Sequence, residues 1–69
     1  MRFSKSFPMG TDEADDFIES IITEGSLKQI GSKKFPYRQE VQLLYRSPSG
    51  LVAIDKKPKE GKWEVTIET

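Results

Sequence analysis

The fold of this chain is decided by residues 11–25, which read TDEADDFIESIITEG. The apolar residues of this stretch recur three and four positions apart, the spacing that lines one face of an α-helix. These apolar residues are Ala14, Phe17, Ile18, Ile21 and Ile22. Thr11 suits an N-cap, the following acids complement the helix dipole, and Gly25 suits a left-handed C-cap. The pattern predicts an amphipathic helix over residues 12–24.

Short strands are predicted on both sides of this helix. Residues 1–7 alternate loosely between apolar and polar side chains and predict a strand that ends at Pro8. After the helix, residues 26–31 fit either a short helical continuation or an extended connection, and residues 32–36 predict a loop. Further along, alternation with a period of two predicts three more strands. Those strands are residues 38–46, 51–56 and 62–68.

Two turn signals separate the last three predicted strands, at residues 47–50 and 58–61, and indicate an antiparallel meander. The apolar faces of helix and sheet must cover each other. The sequence therefore predicts a single α+β domain over residues 1–69. It has two layers, one amphipathic helix packed on a mostly antiparallel sheet, in the order β-α-β-β-β. In outline this order resembles the cystatin/monellin type of fold, which implies nothing about function.

The composition narrows the chemistry that the chain can perform. Its 69 residues include no cysteine and no histidine, which removes disulfides, thiolate metal sites, the commonest metal ligand and the commonest general base. The helix carboxylates are predicted on the solvent side, where water stabilises their charged form and makes them poor general acids. No EF-hand spacing or glycine-rich phosphate loop is present. We therefore expect a non-enzymatic protein with no cofactor and no metal.

The length and the N-terminal pattern bear on location and assembly. No signal-peptide pattern and no apolar run of about 18 residues is present, so we expect a cytoplasmic protein that does not bind membranes. A core in a chain below about 70–80 residues seldom supplies more than about 3–5 kcal/mol of net stability. Self-association as a homodimer is therefore an expectation.

Charge is segregated along the chain although the net charge is zero. Residues 10–25 hold six acids and no base, whereas residues 26–62 hold nine bases and three acids. The acidic side of the helix is predicted to face away from the basic part of the sheet. This surface is a candidate for binding a basic protein. Its residues are Asp12, Asp15, Asp16 and Glu19.

The first functional hypothesis is a small regulatory or interaction module that binds another protein. An exposed strand edge can pair with another chain by β-augmentation. Leu44 and Leu51 are predicted on the second face of the sheet, where water would favour polar residues. The same surfaces would serve a homodimer in which the acidic helix of one copy faces the basic residues of the other.

The alternative hypothesis is a small nucleic-acid-binding protein that uses loop 33–38 and hairpin 56–62. Flexible cations contact phosphates, and aromatic faces stack on bases. The zero net charge opposes this hypothesis, because such domains are usually clearly basic. The candidate residues are Lys33, Lys34, Phe35, Tyr37 and Arg38 in the loop, and Lys56, Lys57, Lys59 and Lys62 around the hairpin.

Overall fold

The computed structural model describes residues 1–69 and shows one α-helix and five strands in the order β-α-β-β-β-β. A 3-10 turn, Pro36–Arg38, joins the second and third strands. The α+β class is as predicted, but the sheet has one strand more than predicted. The elements are β1 (Arg2–Pro8), α1 (Glu13–Glu24), β2 (Lys28–Phe35), β3 (Glu40–Ser47), β4 (Gly50–Lys59) and β5 (Lys62–Glu68).

Strand β2 occupies the segment that was predicted as a loop over residues 32–36 and left open over residues 26–31. Six of its eight residues are exposed, so burial imposes no alternation of apolar and polar residues on its sequence. The register with β3 also shifts at Ile30, where a bulge interrupts the alternation of faces. Backbone pairing with β3 therefore forms this strand, and a side-chain pattern does not report such pairing.

The sheet order is β1-β5-β4-β3-β2, with every neighbouring pair antiparallel. Strands β2 to β5 form a meander, and β1 adds to it beside β5. This arrangement brings the chain ends together, since the Met1 ammonium donates a hydrogen bond to the Thr69 carbonyl oxygen at 3.0 Å. Strands β1 and β2 are consequently the two free edges of the sheet.

Both ends of α1 differ in detail from the predicted caps. Thr11 Oγ1 accepts only a long hydrogen bond of 3.4 Å from the Glu13 amide, and Asp12 occupies the N-cap position. Gly25 has φ −85°, and the left-handed residue is Ser26 at φ 50°. A Cβ at Gly25 would lie 3.1 Å from the Ile21 carbonyl oxygen and the Leu27 side chain. Gly25 therefore allows close packing rather than a left-handed turn.

The hydrophobic core lies between α1 and one face of the sheet. Two residues of the helix, Ala14 and Ile18, are buried, and Phe17 packs at 5.1 Å between ring centroids against Phe7 of β1. Of the apolar residues predicted for the inner side of the helix, Ala14 and Ile18 belong to this core, and Phe17, Ile21 and Ile22 pack against it. The helix falls short of the length and hydrophobicity that a membrane-spanning helix requires. The buried sheet residues of the core are Phe7, Tyr45, Val52, Ile54 and Val65.

Candidate functional site

The face of the sheet opposite α1, called the open face below, is a candidate functional site. The antiparallel register arranges its side chains in rows that run across the strands. The first row, from β1 to β2, is Arg2, Glu68, Ala53, Leu44 and Gly31. The second row is Ser4, Thr66, Asp55, Gln42 and Lys33.

All residues of these two rows except Ser4 line a groove of about 610 Å³. The floor is low where Gly31 and Ala53 supply little or no side chain. Leu44 is 37% exposed within the groove, and Leu51, just beyond it on the same face, is 56% exposed. Three cations line the groove, namely Arg2, Lys33 and Lys57. The open face thus combines apolar and charged groups that α1 does not cover.

Asp55, in the middle of the groove, has the one strongly raised carboxyl pKa of the chain. Its Oδ1 atom is buried without a hydrogen-bond partner. Loss of hydration and a hydrogen bond with Glu40 raise the pKa of Asp55 to about 6. The same hydrogen bond lowers the pKa of Glu40 below its usual value. Below about pH 6 the Asp55 carboxyl group is therefore protonated and can donate a hydrogen bond to Glu40.

The sequence did not single out Glu40 and Asp55, which are brought together by the pairing of β3 with β4. Asp55 lies directly opposite Gln42, which is two residues along β3 from Glu40. Glu40 also accepts a hydrogen bond from Gln42 Nε2 at 3.3 Å, and its carboxylate forms an ion pair with Arg38 Nε at 3.2 Å. One sequence signal was available, since aspartate is disfavoured in the interior of a strand that otherwise alternates cleanly.

One of the acidic helix residues, Asp15, contacts the basic part of the sheet rather than facing away from it. Asp15 Oδ1 lies 2.8 Å from Lys56 Nζ of β4, so part of the acidic row is engaged within the chain. Asp12, Asp16 and Glu19 are exposed and have no ion pair. Of the four candidate protein-binding residues, one is therefore ion-paired within the chain and three carry unpaired charges.

The two predicted basic clusters lie at the same end of the sheet, one where β2 ends and the other around the β4–β5 hairpin. Four of their seven cations lie within 4 Å of an acidic side chain, and these four share three acids. Glu64 lies 3.9 Å from Lys57 Nζ and 3.5 Å from Lys59 Nζ. Lys56 pairs with Asp15, and Arg38 pairs with Glu40. Of the hairpin cluster, Lys62 alone has no acidic partner.

The aromatic residues of the loop cluster differ in availability. The Phe35 ring is covered by the Arg38 guanidinium at 4.3 Å and by Lys33 Nζ at 5.2 Å from the ring centroid. Tyr37 is fully exposed on the 3-10 turn. A stacking contact at this end of the sheet is therefore offered by Tyr37 and not by Phe35.

Uncompensated positive charge is concentrated along β2. Its lysines, Lys28, Lys33 and Lys34, are exposed and none forms an ion pair. Lys28 lies directly opposite Arg46 of β3, so two like charges face each other across the ladder. The β2 edge of the sheet is thus a basic edge.

Comparison with known proteins finds no family model, no curated protein and no solved structure that matches this chain. The resemblance in element order to the cystatin/monellin type of fold stays a prediction. Function is accordingly inferred from the residues of this chain alone.

Proposed function

We propose that this chain is a small non-enzymatic interaction module that binds another protein through the open face and the adjoining edge of β2. One observation supports this proposal above the others. The helix covers one face of the sheet, while the other face keeps a groove of about 610 Å³ beside a strand whose outer backbone groups are unpaired. Grooves and free strand edges are surfaces on which proteins recognise extended segments.

The exposed leucines of the open face support a protein partner. Leu44 lies in the groove, and Leu51 lies opposite Arg46 on the same face. A bound segment would remove both side chains from water, which favours association by about 25 cal/mol for each Å² of apolar surface. Nucleic acid offers less apolar surface to these two leucines than a protein segment does.

Binding without catalysis is proposed because of the groups that surround Asp55. Its carboxyl group is hydrogen-bonded to Glu40 and faces Gln42 and Thr66 across the ladder. The Thr66 hydroxyl is hydrogen-bonded to the Ser4 hydroxyl at 2.9 Å rather than to a base that would activate it. Asp55 is therefore interpreted as a polar element of a binding surface.

The experiment is a selection of displayed peptides against the chain, followed by calorimetric measurement of the dissociation constants of the selected peptides. Leu44→Arg places a large charge in the groove and is expected to weaken binding at least tenfold. Met9→Arg is the matched control, since Met9 is also 37% exposed but lies in the loop before α1. Equal affinities of the two variants, or no selected peptide at all, would overturn the proposal.

A second candidate function, nucleic-acid binding, is favoured by the full exposure of Tyr37, close in the chain to Phe35, whose ring Arg38 and Lys33 contact. An aromatic side chain among cations is the combination that binds single strands by stacking and phosphate contact. Mixed-sequence DNA and RNA oligonucleotides, single- and double-stranded, test this candidate by fluorescence anisotropy at two salt concentrations. Binding that weakens with salt and is lost in Tyr37→Ala would support it; no binding at low salt would exclude it.

A further inference from the structure

We infer that the partner supplies an extended acidic segment, which pairs with β2 as a sixth strand of the sheet. This inference rests on the proposed function and specifies the partner's chemistry. The geometry, the charge and the apolar groups of β2 and the adjoining open face each point to such a segment.

The two free edges of the sheet differ in how well they accept a strand. β1 ends in Pro8, which has no amide hydrogen to donate. β2 is an edge strand of eight residues with no proline, and six of them are exposed. The bulge at Ile30 twists the first half of β2, which leaves Gly31–Phe35 as the regular segment for pairing. A sixth strand is therefore expected along Gly31–Phe35.

The positive charge of β2 favours a partner segment of negative charge. Lys33 and Lys34 lie within the regular segment, and neither has an acidic partner in the chain. Directly paired residues on neighbouring strands lie about 5 Å apart, so like charges destabilise the pairing and opposite charges stabilise it. A second copy pairing through its own β2 would set lysines against lysines. Glutamates or aspartates on the added strand would face them instead.

The open face adjoining β2 admits an apolar side chain from the added strand. Gly31 has no side chain, and a Cβ built on it would lie 3.8 Å from the Leu44 Cβ. A long apolar residue opposite Gly31 can therefore pass over the β2 backbone and contact Leu44 in the groove. The expected segment is acidic with an apolar residue near its centre.

The probe is an eight-residue peptide of glutamate and valine with one central leucine, acetylated and amidated. Its controls are the same peptide with N-methylated alternate residues, a lysine-for-glutamate version, and an oligothymidylate. In NMR titrations the glutamate peptide is expected to shift the amides of Gly31–Phe35 and protect them from hydrogen exchange. The N-methylated and lysine peptides are expected to bind at least tenfold more weakly.

Paired charge variants test the electrostatic part. Lys33→Glu with Lys34→Glu should weaken the glutamate peptide roughly tenfold, as expected for two cross-strand charge pairs. Lys5→Glu with Lys62→Glu makes the same change in net charge on β1 and β5, outside the groove, and should leave the affinity within about twofold. Melting curves of both variants establish that each is folded.

Several results would overturn the inference. These are equal binding of the lysine peptide, amide shifts confined to α1, competition by oligothymidylate at the same amides, and concentration-dependent dimerisation that protects β2. If displayed peptides bind in a Leu44-dependent manner but show no acidic preference, the inference fails and the proposed function stands. If no displayed peptide binds the open face, the proposed function itself fails.

Discussion

Lys56 Nζ lies 2.8 Å from Asp15 Oδ1 and 4.4 Å from the centroid of the Trp63 ring. Lys56 sits between Val41 and Val65 in the ladder, on the face that α1 covers. Its aliphatic stem packs at the margin of the core while its ammonium group reaches an acid in the first turn of the helix. The helix is thereby tied to β4 by a contact between the acidic and the basic part of the sequence.

We predict that Asp15→Asn lowers the free energy of unfolding by about 0.2–1 kcal/mol, the range for an exposed ion pair. Urea denaturation at pH 7 measures the loss, which should shrink in high salt because the attraction is screened. Asp16→Asn is the control, since the neighbouring Asp16 is exposed and has no ion pair. A loss of the same size in both variants would show that the Asp15 contact contributes nothing specific.

The helix and the meander could be predicted from the sequence because burial imposes a period on each. Ala14 and Ile18 recur on the side that the core covers, and in β4 the alternation of buried Val52 and Ile54 with exposed Ala53 reflects one covered and one open face. The turn at residues 58–61 was placed correctly but too broadly, since Pro58 and Lys59 belong to β4. The spacing of apolar and polar residues along the chain is sufficient to predict these elements.

Two features could not be predicted, because they depend on pairing between distant segments. β2 has no buried face of its own, so its sequence carries no period, and its partner in the sheet determines its conformation. Glu40 and Asp55 come together only through the β3–β4 register, and no sequence motif indicates the raised pKa of Asp55. The open face could not be predicted either, because it is formed by β2 together with the rows of side chains that run across the strands.

The raised pKa of Asp55 makes stability depend on pH. In the unfolded chain the carboxyl group has an ordinary pKa of 3.8, and in the folded chain burial beside Glu40 raises the pKa to about 6. The folded state therefore binds the proton more tightly. Its stabilising contribution is complete below about pH 4 and is lost as the pH rises through 6. The free energy of unfolding is expected to fall across this interval and then level off.

Asp55→Asn removes this titration and keeps the shape of the side chain. Urea denaturation at pH 4.5, 6 and 7.5, values that bracket the pKa of about 6, should show a smaller decline for Asp55→Asn than for the native chain. The variant should gain most at the highest pH, where the native Asp55 is charged. Asp16→Asn serves as the exposed control. An unchanged slope in Asp55→Asn would assign the pH dependence to other groups.

Ile54 is predicted to be among the most sensitive core positions. It is 1% exposed and lies between Leu43 and Ile67 in the ladder. Ile54→Val removes one buried methyl group, which should cost about 1 kcal/mol and lower the melting temperature by about 4–8 °C. The same substitution at Ile30, which is 47% exposed, should cost less than about 0.5 kcal/mol. Equal losses at both positions would place Ile54 outside the core.

The tight turn between β4 and β5 offers a stabilising substitution. Glu60 and Gly61 both have positive φ, 52° and 78°, which is the geometry of a type I′ hairpin turn. Glutamate is poorly suited to this conformation, whereas asparagine adopts it readily. Glu60→Asn is therefore expected to raise the free energy of unfolding by about 0.5 kcal/mol. The Asn-Gly pair created is the one that type I′ turns favour.

Thermal melts of Glu60→Asn and Ser49→Asn test this expectation together. Ser49 lies in the other two-residue hairpin loop, between β3 and β4, but does not have positive φ. Asparagine there relieves no strain and should give no gain. Gly61→Ala should lose about 1 kcal/mol, because alanine is strained at positive φ. A gain in Ser49→Asn as large as in Glu60→Asn would attribute the effect to asparagine itself rather than to the left-handed geometry of the turn.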